Sequence, residues 1–155
     1  MKKRINWKVL IISFIVVHLA ALIGSLSTNA DSEWYDSVKP SITPPNYVFP
    51  IVWTILFIFI SLSLYLVWMN SKKNQKKAIG IVFGINLILN ALWSYLFFGL
   101  QNPLAAFYEL ILLWISIISM LILNYRINKS GFWMLMPYFL WVSFAGILNW
   151  LIAFG

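Results

Sequence analysis

The sequence predicts an all-α membrane protein, a single bundle of five transmembrane helices. Three observations carry this. Hydrophobic residues make up 62% of the 155 positions and charged residues only 10%, with a mean hydropathy of +0.86, unlike a water-soluble domain of this length. Five apolar runs of about 20 residues divide the chain, the length a helix needs to cross a bilayer. The basic residues occupy alternate gaps between the runs: Lys2, Lys3, Arg4 and Lys8 at the first, Lys72, Lys73, Lys76 and Lys77 between the second and third, and Arg126 and Lys129 between the fourth and fifth. That alternation is the positive-inside pattern.

In chain order the spans are read as 7–27, 48–69, 78–98, 104–124 and 132–153, one transmembrane domain over 1–155. Helices are required because lipid offers no partners for free backbone groups. The first run, followed by Thr28-Asn29-Ala30, also has the outline of a secretory signal, but its apolar stretch is longer than a signal core. Pro50 falls in the first turn of span two, and Asn102-Pro103 is an N-cap followed by a first-turn proline for span four. Pro137 lies inside the fifth run, where it either kinks the helix or marks a later start. The charge bias predicts a cell-membrane protein with its N-terminus and the 70–77 and 125–131 loops cytoplasmic. The 28–47 loop and the C-terminus then lie outside. The 28–47 loop is long and rich in prolines and turn formers, so it is expected to be stiff and to act as a lid.

The net charge of +7 is spread over three short loops. It therefore fits anchoring to anionic headgroups and excludes a nucleic-acid partner. With no cysteine and one histidine, neither a thiol nucleophile nor a dedicated metal site is expected. Trp7, Trp34, Trp68, Trp133 and Trp150 lie near span ends and read as interfacial anchors, whereas Trp53, Trp93, Trp114 and Trp141 lie deeper. Helical spacing groups Phe49, Trp53 and Phe57; Asn86, Asn90, Trp93, Ser94 and Phe97; and Trp141, Ala145, Leu148 and Asn149. Such stripes serve helix packing with Asn and Ser as interhelical glue. The common depth of Trp53, Asn90, Trp93, Ser94, Ala145 and Asn149 in the outer half, together with Tyr108 and Glu109 of span four, points instead to an aromatic cavity beneath the long loop. Glu109 is the one acid inside a span, either functional or hydrated near the interface. His18 reads as a neutral side chain bonded to a backbone carbonyl or a neighbouring side chain, with a ligand or proton carrier as the alternative. Gly80 and Gly84 match a close-approach motif that serves either a dimer contact or packing within the chain.

Three blocks resemble the TspO/translocator-protein family of tryptophan-rich sensory proteins, also called the peripheral-type benzodiazepine receptor family. They are Trp34-Tyr35 with Lys39-Pro40-Ser41, Thr43-Pro44-Pro45, Phe49 and Val52-Trp53-Thr54; Leu89-Asn90 with Trp93-Ser94 and Phe97-Phe98; and Pro137-Tyr138-Phe139-Leu140-Trp141 with Phe144-Ala145 and Leu148-Asn149. The resemblance covers nearly the whole chain. It implies a five-helix bundle, often a homodimer, that needs no cofactor and binds protoporphyrin IX or related tetrapyrroles as well as isoquinoline-carboxamide and benzodiazepine ligands. Carried over by motif position, the implied ligand-binding residues are Tyr35, Pro44, Phe49, Trp53, Phe57, Asn90, Trp93, Trp141, Ala145 and Leu148. Light-dependent porphyrin breakdown in the family would fall to Trp53 and Trp141.

The chain departs from the family pattern in places. Ile42 stands where many members have Trp, and Phe57 where Tyr is frequent. No basic residue follows Lys129, so the C-terminal cholesterol motif of animal members is absent. The expected function is a membrane tetrapyrrole binder acting as a sensor or regulator, with Tyr35 and Lys39 meeting the ligand's carboxylates and Asn90 and Asn149 bonding its ring. The alternatives are a photo-oxidase and a transporter. No conventional acid–base or nucleophilic set supports an enzyme of the usual kind. Continuous helices count against transport, although Asn86 and His18 in the inner half leave it open.

Overall fold

A computed structural model describes residues 5–155; Lys2, Lys3 and Arg4 lie outside the described residues. Every regular element among these residues is helical: α1 Trp7–Ser25, α2 Glu33–Val38, α3 Val48–Asn70, α4 Lys76–Ser94, α5 Pro103–Ile127 and α6 Lys129–Phe154. A 3₁₀ turn, Lys73–Gln75, leads into α4, and a π-helical turn, Tyr95–Gly99, ends it. Five helices are long and apolar enough to span a membrane: α1, α3, α4 with its flanking turns, α5 and α6.

Capping residues in the sequence set several helix ends. Asn6 accepts from the Val9 N–H, Asn102 from Ala105 ahead of Pro103 at the first position, and Asn128 from Gly131. The last cap starts α6 at Lys129, and the helix runs on through Pro137. Pro137 therefore marks no later start; its missing N–H leaves only the Trp133 carbonyl without a helical partner.

The helices close into a ring in the order α1, α3, α6, α5, α4, with α4 returning to α1. α1 and α4 pack closely at Gly24, where an added Cβ would lie 3.4 Å from the Ala91 Cα. The main core fills the ring with Val17, Leu56, Ile60, Phe83, Ile117, Met120, Leu135 and Tyr138, all buried. Apolar side chains such as Ile15, Leu22, Ile55, Ile88, Leu112 and Ile147 cover the outside, as hydrocarbon surroundings require.

A polar cluster fastens the end of the bundle that carries Lys72–Lys77 and Lys129. Ser63 Oγ meets Asn124 Oδ1 at 3.1 Å and the Gly131 carbonyl at 2.9 Å, and Asn124 Nδ2 donates to the Met120 carbonyl at 2.9 Å. Ser63 and Asn124 are completely buried. The basic residues also take local partners there: Lys76 lies over the Trp68 ring and Lys129 over Tyr125. His18 is bonded through Nδ1 to the Phe14 carbonyl at 2.9 Å and stacks on Phe14.

Gly80 and Gly84 do not serve packing within the chain. A Cβ built at either would meet nothing within 4 Å. They lie on the outer side of α4 beside the exposed Ile81, Ile85 and Ile88.

Candidate ligand-binding cavity

The opposite end of the bundle holds a cavity of about 590 Å³, within the range of small-molecule sites. Four spanning helices and the 28–47 loop form it. The α3 wall carries Phe49, Trp53 and Phe57; α4 and its π-helical turn supply Asn90, Trp93, Ser94, Phe97 and Phe98; α6 supplies Trp141, Ala145, Leu148, Asn149 and Ile152. The α1 wall is made of Ala21, Gly24, Ser25 and, just past the helix, Thr28.

Aromatic pairs shape these walls. Trp53 stacks on Phe57 at 5.3 Å between ring centroids, Trp93 stacks on Phe97 at 5.0 Å, and Trp141 meets Phe49 edge to face at 5.8 Å. The π-helical turn inserts an extra residue per turn, bringing Phe97 and Phe98 under the loop. There Tyr35 contacts Phe98 at 5.4 Å, Phe97 at 6.0 Å and Phe49 at 6.3 Å. Trp34 packs edge to face on Phe97 and so braces the roof of the cavity. Trp7, Trp133 and Trp150 are exposed, as residues of an interfacial belt would be.

Short-range chemistry holds the roof. Ser32 caps α2 by accepting from the Tyr35 N–H, which sets Tyr35 facing inward, 3% exposed. Burial, and then the nearby Asp36 charge, push the Tyr35 hydroxyl up to about 12, so it stays a neutral donor and acceptor at physiological pH. Asn46 ties the two ends of the loop together. Its Nδ2 donates to Asp31 Oδ1 at 3.0 Å, and its Oδ1 accepts from Lys39 Nζ at 3.4 Å. Lys39 is ion-paired with Asp36.

That pair predicts an acid-sensitive roof. The Lys39 ammonium, donating to Asp36, holds the Asp36 carboxyl below its usual value. A depressed folded-state value means the contribution is present above the unfolded carboxylate range and is lost as pH falls through the folded value. Acidification below about pH 4, the ordinary carboxylate range, is expected to shift the Trp34 emission as the roof loosens. Lys39→Ala should remove that acid step. Because the pair is exposed, the effect should be small and weakened by salt.

Of the ten residues carried over by motif, nine line the cavity: Tyr35, Phe49, Trp53, Phe57, Asn90, Trp93, Trp141, Ala145 and Leu148. Pro44 does not, since it lies in the outer turn-rich stretch before α3 and only Asn46 and Tyr47 of that stretch reach the lining. Lys39 is also absent from the lining, drawn away by Asp36 and Asn46; Asp31 is the ionisable carboxylate at the mouth. Asn149 is a strut, accepting from Trp93 Nε1 at 3.1 Å and donating to the Pro103 carbonyl at 2.8 Å. Span four contributes nothing to the lining, because α5 sits between α4 and α6 on the far side of the ring. Tyr108 faces outward, 59% exposed, and Trp114 is bonded to Ser143. Glu109 is buried, with both carboxyl oxygens unpartnered.

The α1 wall is what residue-by-residue reading missed. Its signal was the small-residue spacing Ala21, Gly24, Ser25 and Thr28 on one helical face. Among the described residues no cluster of three His, Asp or Glu is placed to hold a metal ion.

This ring order, the aromatic cavity and the helical roof can be set beside known proteins. A model of the TspO/MBR family matches residues 12–154. The chain belongs to the TspO/MBR family. It is 43% identical over 129 residues to the tryptophan-rich protein TspO of Chlorobaculum tepidum, covering 81% of this chain and 82% of that one. It is 39% identical over 142 residues to the tryptophan-rich protein TspO of Archaeoglobus fulgidus, covering 90% and 92%. The human translocator protein is 29% identical over 136 residues, covering 84% and 80%. Membership of the TspO/MBR family and five apolar helices together establish an integral membrane protein.

Proposed function

We propose that this TspO/MBR member binds a tetrapyrrole such as protoporphyrin IX in the roofed cavity and acts as a sensor or regulator of tetrapyrrole status. The observation that carries this reading is the lining itself. A flat, apolar macrocycle with a π-face matches walls built from Trp53, Trp93 and Trp141, which supply area and stacking geometry together. The ligand's carboxylates are best left at the mouth, near the Tyr35 hydroxyl and clear of Asp31. Isoquinoline-carboxamide and benzodiazepine ligands suit the same apolar volume. The orientation proposed is the one that puts the Lys-rich end in the cytoplasm and the roof outside.

A second reading has one observation in its favour. Trp53 and Trp141, the two residues implied for light-driven porphyrin breakdown, both line the cavity. A single experiment separates the two. Protoporphyrin IX titrated in the dark should quench the tryptophan emission saturably, with an unchanged porphyrin spectrum. Loss of the porphyrin band only on illumination, slowed by Trp53→Phe and Trp141→Phe, would favour the photo-oxidase. Absence of saturable quenching in the dark would remove the binding reading. Transport finds less support, since the core beneath the cavity is closed by Ile60, Phe83, Leu113 and Ile117.

The proposal includes a homodimer through the open strip at Gly80 and Gly84. Gly84→Phe is expected to turn dimers into monomers in native mass spectrometry, and an unchanged mass would reject this interface.

A further inference from the structure

Two hydrogen-bond chains run from the cavity into the bundle, and each ends on a backbone carbonyl. In the first, Asn90 Nδ2 donates to Tyr138 Oη at 3.1 Å and Tyr138 Oη donates to Asn86 Oδ1 at 3.3 Å. Asn86 Nδ2 then donates to Ser116 Oγ at 2.8 Å, and Ser116 Oγ to the Leu113 carbonyl at 2.6 Å. In the second, Trp93 Nε1 donates to Asn149 Oδ1 and Asn149 Nδ2 to the Pro103 carbonyl.

A carbonyl can only accept, so the end of the first chain dictates every direction before it. Ser116 must spend its proton on Leu113 and therefore accepts from Asn86. The Asn86 amide is thereby turned with its oxygen to Tyr138. The Tyr138 hydroxyl must donate to that oxygen and accept from the Asn90 amide nitrogen. Tyr138 and Asn86 are completely buried, so no water competes for these roles, and reversing one link would set donor against donor inside the bundle.

We propose that Tyr138 is a positioning residue that holds the Asn90 amide with its nitrogen toward the bundle and its carbonyl oxygen toward the cavity, so that among flat aromatic ligands of one shape, all held chiefly by stacking, the cavity favours one with an N–H or O–H donor at its deep edge over one with an acceptor there. This rests on the reading of the cavity as a ligand site and adds a polarity to it. The second chain strengthens the point, since Trp93 has already committed its N–H to Asn149 and offers the ligand only its ring. Ser116 lies at the far end of the first chain and is not part of the cavity lining. It therefore sets the polarity of a site that it does not touch.

The test uses three planar three-ring probes that differ at one bridging position: carbazole with N–H, dibenzofuran with an oxygen acceptor, and fluorene with CH₂. Binding to the full protein in lipid nanodiscs is measured by calorimetry against empty nanodiscs. The wild type should bind carbazole about tenfold more tightly than fluorene, the scale of one well-made buried hydrogen bond, and dibenzofuran no better than fluorene. Tyr138→Phe releases the Asn90 amide to turn, so the carbazole preference should fall to within about twofold. In Ser116→Ala, Asn86 is free to turn, Tyr138 can donate to Asn90 Oδ1, and the preference should shift toward dibenzofuran. A purely structural defect would move all three probes together, whereas loss of positioning changes their ratio. If Tyr138→Phe does not fold, Ser116→Ala carries the same comparison.

Equal wild-type affinity for carbazole and fluorene would overturn the inference and leave the cavity reading standing. A carbazole preference that survives both substitutions would overturn it as well. No binding of any probe above the empty-disc level, together with no porphyrin quenching, would overturn the cavity reading too.

Discussion

Ala145→Phe is expected to abolish porphyrin binding while leaving a folded five-helix bundle. Ala145 is a small residue on the cavity side of α6, one turn from Trp141 and next to Leu148 in the lining. A phenyl ring there would project into the space between the α3 and α4 aromatic walls, the space that a macrocycle needs. The adjoining face of α6, toward α5, is already tight, since a Cβ on Gly146 would meet Leu110 Cδ2 at 3.1 Å. The helix therefore has little room to back away. The affinity for protoporphyrin IX should fall at least about tenfold, or roughly 1.4 kcal/mol, with unchanged helical circular dichroism. Because the ring fills empty volume rather than core, the thermal midpoint should hold or rise. Unchanged porphyrin quenching in this variant would mean that the ligand lies elsewhere.

Gly131→Ala should do the reverse, lowering stability without altering affinity. A Cβ at 131 would lie 2.6 Å from Asn124 Oδ1 and 3.5 Å from the Ser63 carbonyl. Asn124 cannot step aside at low cost. Its side chain is completely buried, is bonded to the Met120 carbonyl and accepts from Ser63. Displacing it strands polar atoms where there is no water, at a cost of about 1–3 kcal/mol. The cluster sits at the Lys-rich end, far from the roof, so a titration with protoporphyrin IX should give the wild-type affinity. A variant as stable as the wild type would show that the cluster fastens nothing. Together the two substitutions separate a binding end of the bundle from a fastening end.

The five-helix class was legible because long apolar runs separated by Lys-rich gaps leave few architectures open in a bilayer. The aromatic face of α3 was equally legible, since Phe49, Trp53 and Phe57 recur at four-residue spacing. Depth along each helix placed Asn90, Trp93 and Ala145 at one level, and the cavity lies at that level. Depth carries no information on azimuth, however. Glu109 and Tyr108 share the level with the cavity residues and still lie outside the lining, because the ring order puts α5 behind α4 and α6. Ring order is a tertiary property that no single helix encodes.

The same limit hid α1, whose contribution is four small side chains and no aromatic. Lys39 was misplaced for a different reason. As the lone basic residue of the loop it invited pairing with a ligand, but Asp36 three residues earlier is the nearer partner. The π-helical turn at Tyr95–Gly99 left no signal in the periodicity, although it brings Phe97 and Phe98 under the roof.

The measurement that bears most directly on the central claim is a structure of the protein with protoporphyrin IX bound in the dark, in a lipid environment. The account predicts density for the macrocycle between Trp53, Trp93 and Trp141, under Tyr35, with its carboxylates at the mouth. Density confined to the outer, lipid-facing surface, with the cavity left unfilled, would contradict it.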